Sequence, residues 1–351
     1  MPSFRVATLA ASYEAIVERG CLARHSQWIP PRAGKVFLVT TEDVWKLHGG
    51  SIRADEVLFF PGGEARKRME EVERLAEEMI EAGGDRSSVV IAFGGGIVND
   101  VGGFLAAIFM RGVPVIQIPT TLLAQVDAAI GGKTGVNLVS GKNLVGSFHP
   151  PLAVLIDPDL LATLPDREYR SGLYEIIKCG VIRDADLFRL FDERSAAVLA
   201  RQPAVVDRII ADAVRIKAEV VSADEREGDL RRILNFGHTV GHALEAETRY
   251  EKFLHGEAVA FGMRAAARLA ERAAGLPADQ REAIERVVNR YGPIPSLSGI
   301  SARHLAARLK ADKKTVQGNV HFVLPPRIGE VKIVSGIDEK VVLECIEAAL
   351  A

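Results

Sequence analysis

The stretch SSVVIAFGGGIVNDVGGFLAAIF, residues 87–109, decides the fold class of this chain. Its opening run, VVIAF, is apolar at every position, which is typical of a strand covered on both faces of a sheet. Three glycines, Gly94, Gly95 and Gly96, follow the run and lead directly into a helical stretch. A buried strand that turns through glycines into a helix predicts a parallel sheet with crossover helices.

The same alternation extends through the first half of the chain. Runs rich in β-branched residues, KVFLVTT, SSVVIAF and VPVIQIP, alternate with the helical stretches RKRMEEVERLAEEMIEAG and DVGGFLAAIF. We therefore predict an α/β fold, with a Rossmann-like, mostly parallel sheet in residues 1–157. Functional groups are expected where the strands end.

Beyond Pro158, alanine-rich amphipathic segments predict a mostly helical second domain in residues 158–351, with the active site in the cleft between the domains. The predicted helices are 186–200, 203–226, 238–248, 256–274, 279–291 and 301–311. One exception is GNVHFVLPPRIGEVKIVSG, residues 318–336, whose two β-rich runs predict a late hairpin or a loop against the sheet.

Composition excludes several classes of partner. The formal net charge is -2 and the charges are spread along the chain, which argues against binding of nucleic acid or membranes. Cys21, Cys179 and Cys345 are too far apart for a CxxC pair, and their odd number suits reduced thiols. Without a long apolar segment or a signal-like start, the chain is expected to be soluble and cytoplasmic.

The glycine triplet predicts an anion site. Backbone without side chains at a helix N-terminus offers N–H groups and a favourable dipole to a pyrophosphate. The spacing differs from GxGxxG, so a purely structural tight turn is the alternative. Asp100 follows the triplet and either binds a hydroxyl of a dinucleotide or stabilises the first turn of the helix.

The segment AAIGGKTGVNLVSGKNLVG carries two glycine–lysine pairs whose lysines, Lys133 and Lys142, are nine residues apart. A single hairpin could direct both ammonium groups to one anion, although lysines beside glycines are also ordinary surface turns. GGKT is similar to the end of a P-loop, but Asp127 stands where that motif needs glycine, which disfavours nucleotide hydrolysis. Asp127 and Asn143 are polar groups in an apolar stretch, which favours an anionic ligand.

A histidine group predicts a metal centre. His238 and His242 share one helix face in NFGHTVGHALE, but Thr239 replaces the glutamate of an HExxH protease. His255 and Glu175 add a third imidazole and a carboxylate. Two histidines and one carboxylate, with positions left open, form the ligand set of catalytic zinc. Any of these residues alone would more simply be a satisfied core residue.

Seven ordered blocks carry a family resemblance. They are PGGEARK (61–67), GGGIVND (94–100), MRGVPVIQIPTTLLAQVDAAIGGKTGVN (110–137), GKNLVGSFHPP (141–151), TLPDREYRSGLYEIIK (163–178), LNFGHTVGHALE (234–245) and LHGEAVAFGM (254–263). With these blocks the chain resembles the 3-dehydroquinate synthases, and more broadly the sugar phosphate cyclases, over nearly its whole length. The resemblance implies one divalent metal, Zn or Co, held by Glu175, His238 and His255, which leaves His242 on the substrate side.

The resemblance also implies NAD on the glycine turn, with Glu64 and Lys67 near the adenosine and Asp100 and Thr120 nearer the nicotinamide. The full set of implied cofactor residues is Glu64, Lys67, Gly94, Gly95, Gly96, Asp100, Thr120, Thr121, Asp127, Lys142, Thr163, Leu164 and Glu168. Thr41 occupies the place where some relatives have an acid for the adenine ribose, so NADP is an alternative.

The resemblance assigns the substrate groups as well. Phosphate would be held by Lys133, Asn143 and His242, with Arg111 supplied by the neighbouring subunit of a homodimer. Arg231 and one lysine of the DKK motif, Lys313 or Lys314, would meet a carboxylate. Lys178, Lys217 and Asn235 would touch ring hydroxyls or water, and Asp127 would contact both NAD and substrate.

The implied reaction converts 3-deoxy-D-arabino-heptulosonate 7-phosphate to 3-dehydroquinate and phosphate, in the shikimate pathway of aromatic amino acid biosynthesis. Such a carbon–oxygen lyase uses NAD transiently: oxidation at C5, phosphate elimination, re-reduction and intramolecular aldol cyclisation. Alternatives are another sugar phosphate cyclase, such as 2-deoxy-scyllo-inosose synthase, a metal-dependent polyol dehydrogenase, or an inert scaffold. Arg231 and the DKK lysines favour a substrate carboxylate over the first alternative, and the phosphate-binding lysines disfavour the second.

Overall fold

The computed structural model describes residues 2–311 and 320–351. Its packing divides the chain into two compact units, Met1–Tyr169 with Lys217–Glu225, and Arg170–Ile216 with Arg226–Ala351. The boundary predicted at residues 157–158 is about twelve residues before the observed boundary at Tyr169. The prediction also did not include the segment Lys217–Glu225 in the first unit. The prediction used the change in sequence composition after the last strand, whereas the observed boundary depends on which residues pack together.

The first unit contains a mostly parallel sheet, as predicted. Its strands are β1 (Ser3–Ala7), β2 (Ser12–Val17), β3 (Val36–Thr40), β4 (Glu56–Phe59), β5 (Val89–Gly94), β6 (Val115–Pro119), β7 (Lys133–Leu138), β8 (Gly141–Phe148) and β9 (Ala153–Ile156). Seven strands form one sheet in the order β1-β2-β9-β6-β5-β3-β4. Only the pair of β1 and β2 at the edge is antiparallel.

Strand β5 shows why the sheet is covered on both faces. Successive side chains of a strand point to opposite faces. Val90 and Ala92 pack into one buried apolar cluster, whereas Ile91 and Phe93 pack into another. Burial of a large apolar side chain contributes about 1.5–3 kcal/mol, so both faces stabilise the strand. This packing fixes the position of the glycine turn that follows β5.

Three helices accompany the sheet: α1 (Glu42–His48), α2 (Met69–Glu81) and α3 (Gly96–Ile108). The last two confirm the predicted helical stretches. The pair of β1 and β2 has no clear signal in the sequence, because its short strands mix polar and apolar residues. Strands β7 and β8 form a separate antiparallel hairpin, in which Lys133 lies opposite Phe148 and Leu138 lies opposite Gly141.

The second unit is mostly helical, as predicted. Its helices are α4 (Asp166–Arg183), α5 (Ala185–Glu193), α6 (Ser195–Leu199), α7 (Pro203–Ala223), α8 (His238–Glu247), α9 (His255–Ala273), α10 (Ala278–Arg290), α11 (Ala302–Ala311) and α12 (Glu339–Leu350). The first residues of α4 and the last residues of α7 belong to the first unit.

Two details of the helical unit differ from the prediction. The single helix expected over 186–200 is wrong, because Arg194 leaves the helical conformation and separates α5 from α6. Helix α12 was not predicted. The late hairpin is confirmed as β10 (His321–Arg327) and β11 (Glu330–Ser335). Within the described ranges, no helix combines the length and apolar character needed to cross a membrane.

Candidate functional site

The predicted metal ligands meet in the second unit. Glu175 lies in α4, and His238 and His255 are the first residues of α8 and α9. The Nε2 atoms of both histidines lie 3.5 Å from Oε1 of Glu175. One ligand atom from each residue falls within 4.8 Å of the others, a spacing that suits a shared ion. The structure therefore brings together the three residues that the resemblance named.

Glycines let α8 and α9 approach closely enough to form this group. Gly262 in α9 faces the start of α8, where a Cβ atom would overlap the carbonyl oxygen of Gly237 and lie 2.8 Å from the backbone nitrogen of Gly241. Because Gly262 has no side chain, the backbones of the two helices approach closely at this point. The imidazole centroids of His238 and His255 are 5.2 Å apart as a result.

The charges in this group suit a divalent cation. Burial raises the pKa of Glu175, but the ammonium of Lys178, 2.5 Å away, and the two imidazoles outweigh it, so the pKa lies well below its ordinary value. Burial lowers the pKa of His238 to about 3. Burial also lowers the pKa of His255, but the carboxylates of Glu175 and Glu245 raise it to about 10. A carboxylate and a neutral imidazole ligate metals, so Glu175 and His238 already have the required protonation states, whereas His255 must release a proton when an ion binds.

A second observation supports the fit. Both carboxylate oxygens of Glu175 are buried. Oε2 forms an ion pair with Lys178, whereas Oε1 accepts no hydrogen bond from the residues that the structure describes. An unsatisfied buried carboxylate costs free energy unless a cation or a donor compensates it. With two imidazole nitrogens facing the same oxygen, the donor set matches the two-histidine, one-carboxylate pattern of catalytic zinc.

The predicted substrate residues of this unit lie near the histidines or in the turn before α8. The ring of His242 is centred 5.3 Å from that of His238. Lys178 is buried against Glu175. Arg231 is buried in the turn Leu230–Asn235, and Asn235 donates to Oε1 of Glu227 at 2.7 Å. Lys313 and Lys314 lie outside the described residues.

Two acidic residues of this region were not predicted. Glu227 precedes the turn that holds Arg231, and nothing in its local sequence marks it. Glu245 lies on the same helix face as His238 and His242, seven and three residues further along α8, and its Oε2 is 3.4 Å from Nδ1 of His255. Helical spacing on NFGHTVGHALE could have indicated Glu245.

The glycine turn of the first unit has the predicted geometry. Gly94 ends β5, Gly95 precedes the helix and Gly96 begins α3, so backbone N–H groups of a helix N-terminus are directed at this point. A Cβ on Gly95 would lie 3.1 Å from Cγ2 of Thr121, and the backbone nitrogen of Thr120 donates to the carbonyl of Gly94. The turn is thus both tight and suited to a phosphate.

Lys67 and Asp100, which were predicted to hold the cofactor, contact each other, and Lys67 also contacts Asn143, which was predicted to hold the phosphate. Nζ of Lys67 lies 2.5 Å from Oδ2 of Asp100 and 2.5 Å from Oδ1 of Asn143. The direct contact of Lys67 with Asp100 does not support their assignment to different ends of the dinucleotide. Near them, Asn137 donates to Oε1 of Glu64 at 2.7 Å.

Asp127 also has a protein partner, because Lys217, near the C-terminal end of α7, donates to its Oδ1 at 2.5 Å and to its carbonyl at 2.6 Å. The returning segment of the first unit thus brings Lys217 to Asp127. Thr163 contacts Nε2 of His48 at 2.9 Å, and the backbone nitrogen of Leu164 donates to Leu161. Glu168 lies in the first turn of α4.

The hypothesis that Lys133 and Lys142 share one anion is not supported. The chain reverses just before Gly141, so Lys142 lies beside the turn of the hairpin, whereas Lys133 lies at its open end. Nζ of Lys142 is 3.6 Å from Oε2 of Glu64, among the predicted cofactor residues. Arg111 is exposed after α3 and has a positive φ of 69°.

Solved structures define the class of protein to which this fold belongs. A 2-epi-5-epi-valiolone synthase from Streptomyces hygroscopicus subsp. jinggangensis, with NAD+ and Zn2+ bound, superposes with a TM-score of 0.89 at 30% identity over 98% of both chains. A 2-deoxy-scyllo-inosose synthase with carbaglucose-6-phosphate, NAD+ and Co2+ gives 0.87 at 26% identity over 99% of both. The fold is therefore that of the sugar phosphate cyclases.

Sequence comparison gives the particular family. Two family models match the chain: the model of the 3-dehydroquinate synthase N-terminal domain matches residues 57–171, and that of the C-terminal domain matches residues 172–315. A protein from Solibacter usitatus named 3-dehydroquinate synthase is 64% identical over the full length of both chains. The chain belongs to the 3-dehydroquinate synthase family, as the resemblance implied.

Proposed function

We propose that the protein is an NAD- and metal-dependent carbon–oxygen lyase that converts 3-deoxy-D-arabino-heptulosonate 7-phosphate to 3-dehydroquinate and phosphate. The observation that carries the proposal is the group that the buried Glu175 forms with His238 and His255, found in a chain of this family. Oxidising a substrate alcohol and then reducing the product again needs both a means of removing the hydroxyl proton and a hydride acceptor.

Zinc or cobalt would be held by Glu175, His238 and His255, and NAD by the turn at Gly94, Gly95 and Gly96. When bound, the ion supplies Lewis-acid chemistry and the dinucleotide supplies reversible hydride transfer. The backbone N–H groups at the start of α3 bind the pyrophosphate. The other residues predicted to bind the cofactor belong to the same, first unit.

The chain's own cations and amides orient the substrate. Lys133, Asn143 and His242 bind the phosphate, and positively charged donors there stabilise the leaving group as its charge develops. Arg231 binds the carboxylate through its planar guanidinium, as does Lys313 or Lys314. Lys178, Lys217 and Asn235 hold ring hydroxyls or water, and Asp127 contacts both NAD and substrate.

We also propose a homodimer in which Arg111 reaches the phosphate of the neighbouring subunit. The first unit exposes large apolar side chains in the hairpin, Leu138, Leu144 and Phe148, together with Val139 at its turn, which is 91% exposed. Exposed apolar patches of this kind are typical of protein interfaces. Mixing Arg111→Ala and Lys133→Ala proteins should restore activity when subunits exchange. No recovery despite demonstrated exchange would contradict the shared site.

One assay tests the reaction. The protein is incubated with the heptulosonate phosphate and NAD, and phosphate, NADH and the carbocyclic product are followed together. Equal amounts of phosphate and 3-dehydroquinate, without net NADH, are expected. Accumulation of NADH, particularly with glycerol as the only substrate, would instead identify a polyol dehydrogenase. Failure to use the carboxylate substrate, with turnover of a sugar phosphate that lacks the carboxylate, would identify another cyclase.

A further inference from the structure

The imidazole of His255 lies between two carboxylates. Its Nε2 is 3.5 Å from Oε1 of Glu175, and its Nδ1 is 3.4 Å from Oε2 of Glu245. Glu245 is only 4% exposed, although it carries a carboxylate. A buried charge of this kind is expensive unless it has a partner. The function described above uses the contact with Glu175 and leaves Glu245 unexplained.

The two histidines of the group differ in what their Nδ1 atoms contact. Nδ1 of His238 is 3.1 Å from the backbone carbonyl oxygen of Phe236, a neutral acceptor. Nδ1 of His255 is instead directed at the negative carboxylate of Glu245. In the neutral form of either residue, a proton on Nδ1 leaves a lone pair on Nε2, beside Oε1 of Glu175. Only His255 has a charged group behind it.

We propose that Glu245 is a positioning residue for the metal centre. It accepts a hydrogen bond from Nδ1 of His255, which fixes the ring orientation and the tautomer that presents Nε2. Its negative charge also increases the basicity of the imidazole as a ligand. Carboxylates behind metal-bound histidines act in this way, and their removal typically weakens metal binding by 10–100-fold. This inference rests on the proposed metal group.

The fold gives Glu245 a defined position. It lies in the last turn of α8, and its backbone carbonyl accepts a hydrogen bond from the nitrogen of Tyr250 in the chain segment that leaves the helix. His255 begins α9, which packs against α8 along the glycine contact of Gly262. The carboxylate is therefore held by a helix and faces a histidine held by its neighbour.

A different use of Glu245 would be direct ligation of a second ion. His242, Glu245 and His255 also offer three ligand atoms within 4.8 Å of one another. His255 would then belong to two sites at once. A supporting role and a ligating role predict different numbers of ions per chain, so stoichiometry separates them.

The test compares three variants of the full chain: Glu245→Ala, Glu245→Gln and the control Glu247→Ala. Glu247 lies in the same helix and also contacts a histidine, His304, at 3.1 Å, but both residues are outside the metal group. Zinc dissociation constants are measured by competition with a chromophoric chelator, and bound metal per chain is counted. Absorption bands of Co2+-loaded protein report the ligand geometry.

We expect zinc to bind about 100-fold more weakly in Glu245→Ala and about 10-fold more weakly in Glu245→Gln. The amide oxygen of glutamine can still accept from Nδ1, as the carbonyl of Phe236 does for His238, but it lacks the charge. The Co2+ bands should shift in both variants. Glu247→Ala should keep its zinc affinity within twofold and its Co2+ spectrum, and all proteins should bind one ion.

Several outcomes would overturn the inference. Zinc affinity within twofold of wild type in a folded Glu245→Ala protein would leave Glu245 without a role at the metal, while the proposed function would stand. If the alanine variant does not fold, an unchanged affinity in Glu245→Gln has the same meaning. Two ions per wild-type chain would make Glu245 a ligand. A wild-type protein that binds no zinc or cobalt would remove both this inference and the proposed metal group.

Discussion

Asp100 in the first unit and Glu175 in the second are both largely buried, and each has a lysine nitrogen 2.5 Å from one carboxylate oxygen. Their pKa values nevertheless move in opposite directions. Burial raises the pKa of Asp100 more than Lys67 lowers it. At Glu175 burial also acts to raise the pKa, but the lysine and the two imidazoles together hold it well below its ordinary value.

The difference shows that a single lysine does not decide the state of a buried carboxylate. Glu64 and Asp127 lie close enough to Asp100 to raise its pKa further, so its surroundings are rich in acids. Glu175 is surrounded by nitrogen donors. The carboxyl groups of the first environment can form hydrogen bonds with hydroxyls, whereas the second environment suits a divalent cation. The two regions should therefore respond separately to mutation and to metal removal.

Removal of metal should have the largest effect. Dialysis against a chelator should lower kcat by at least about 1000-fold, which corresponds to roughly 4 kcal/mol of lost transition-state stabilisation. Zn2+ or Co2+ should restore it. The dissociation constant for NAD, measured by calorimetry, should stay within about twofold if the two regions are independent. Full activity in metal-free protein would contradict the assignment of Glu175, His238 and His255.

Substitution of Gly262→Ala should separate α8 from α9. The added methyl group would overlap the backbone of Gly237, and overpacking of this kind costs about 1–3 kcal/mol or more. We expect a lower melting temperature and zinc binding weakened by about 100-fold. Gly50→Ala is the control, because its Cβ would enter open space. Equal zinc affinities in the two variants would show that helix contact does not position the histidines.

Substitution of the two hairpin lysines should affect different quantities: the kinetics with substrate for Lys133, and the affinity for NAD for Lys142. Lys133→Ala should lower kcat/KM for the sugar phosphate at least about tenfold, because it removes a charge-assisted contact to phosphate. Lys142→Ala should mainly raise the dissociation constant for NAD, since Lys142 lies beside Glu64. Steady-state kinetics and calorimetry measure the two quantities. Unchanged kinetics in Lys133→Ala would remove that residue from the site.

Gly95→Ala should have the smallest effect. Its Cβ would lie 3.1 Å from Cγ2 of Thr121, a contact that a small shift can relieve, yet the methyl group would also obstruct the approach of a pyrophosphate. NAD should bind about three- to tenfold more weakly, or roughly 1 kcal/mol, with zinc affinity unchanged. Weaker zinc binding in this variant would contradict the independence of the two regions.

Strong local patterns made much of the molecule predictable. The apolar run VVIAF predicted a strand covered on both faces, and every position of β5 is indeed buried. The spacing of His238 and His242 predicted a shared helix face. Family resemblance, and not spacing, excluded His242 from the metal ligands. Spacing within one helix gives no information on where α4 and α9 lie.

Features that depend on distant contacts were not predictable. The hypothesis that Lys133 and Lys142 share one anion is not supported, because the hairpin turns next to Gly141 and the two lysines lie at opposite ends of it. The glycine–lysine spacing does not specify where the hairpin turns. The edge strands β1 and β2 were missed because their stability depends on partners far along the chain, such as the hydrogen bond from the nitrogen of Gly131 to the Tyr13 hydroxyl. The role of Glu245 depends on how α8 meets α9.

The pairing of β2 with β9 also has a consequence for biosynthesis. Glu14 lies opposite Ala153 in that pair, so β2 waits for a strand that is translated about 140 residues later. At roughly 5–20 residues per second this delay lasts about 7–28 seconds, during which one side of β2 lacks its neighbour. Until β9 is made, that side of β2 is an unpaired strand edge, which can pair with other chains.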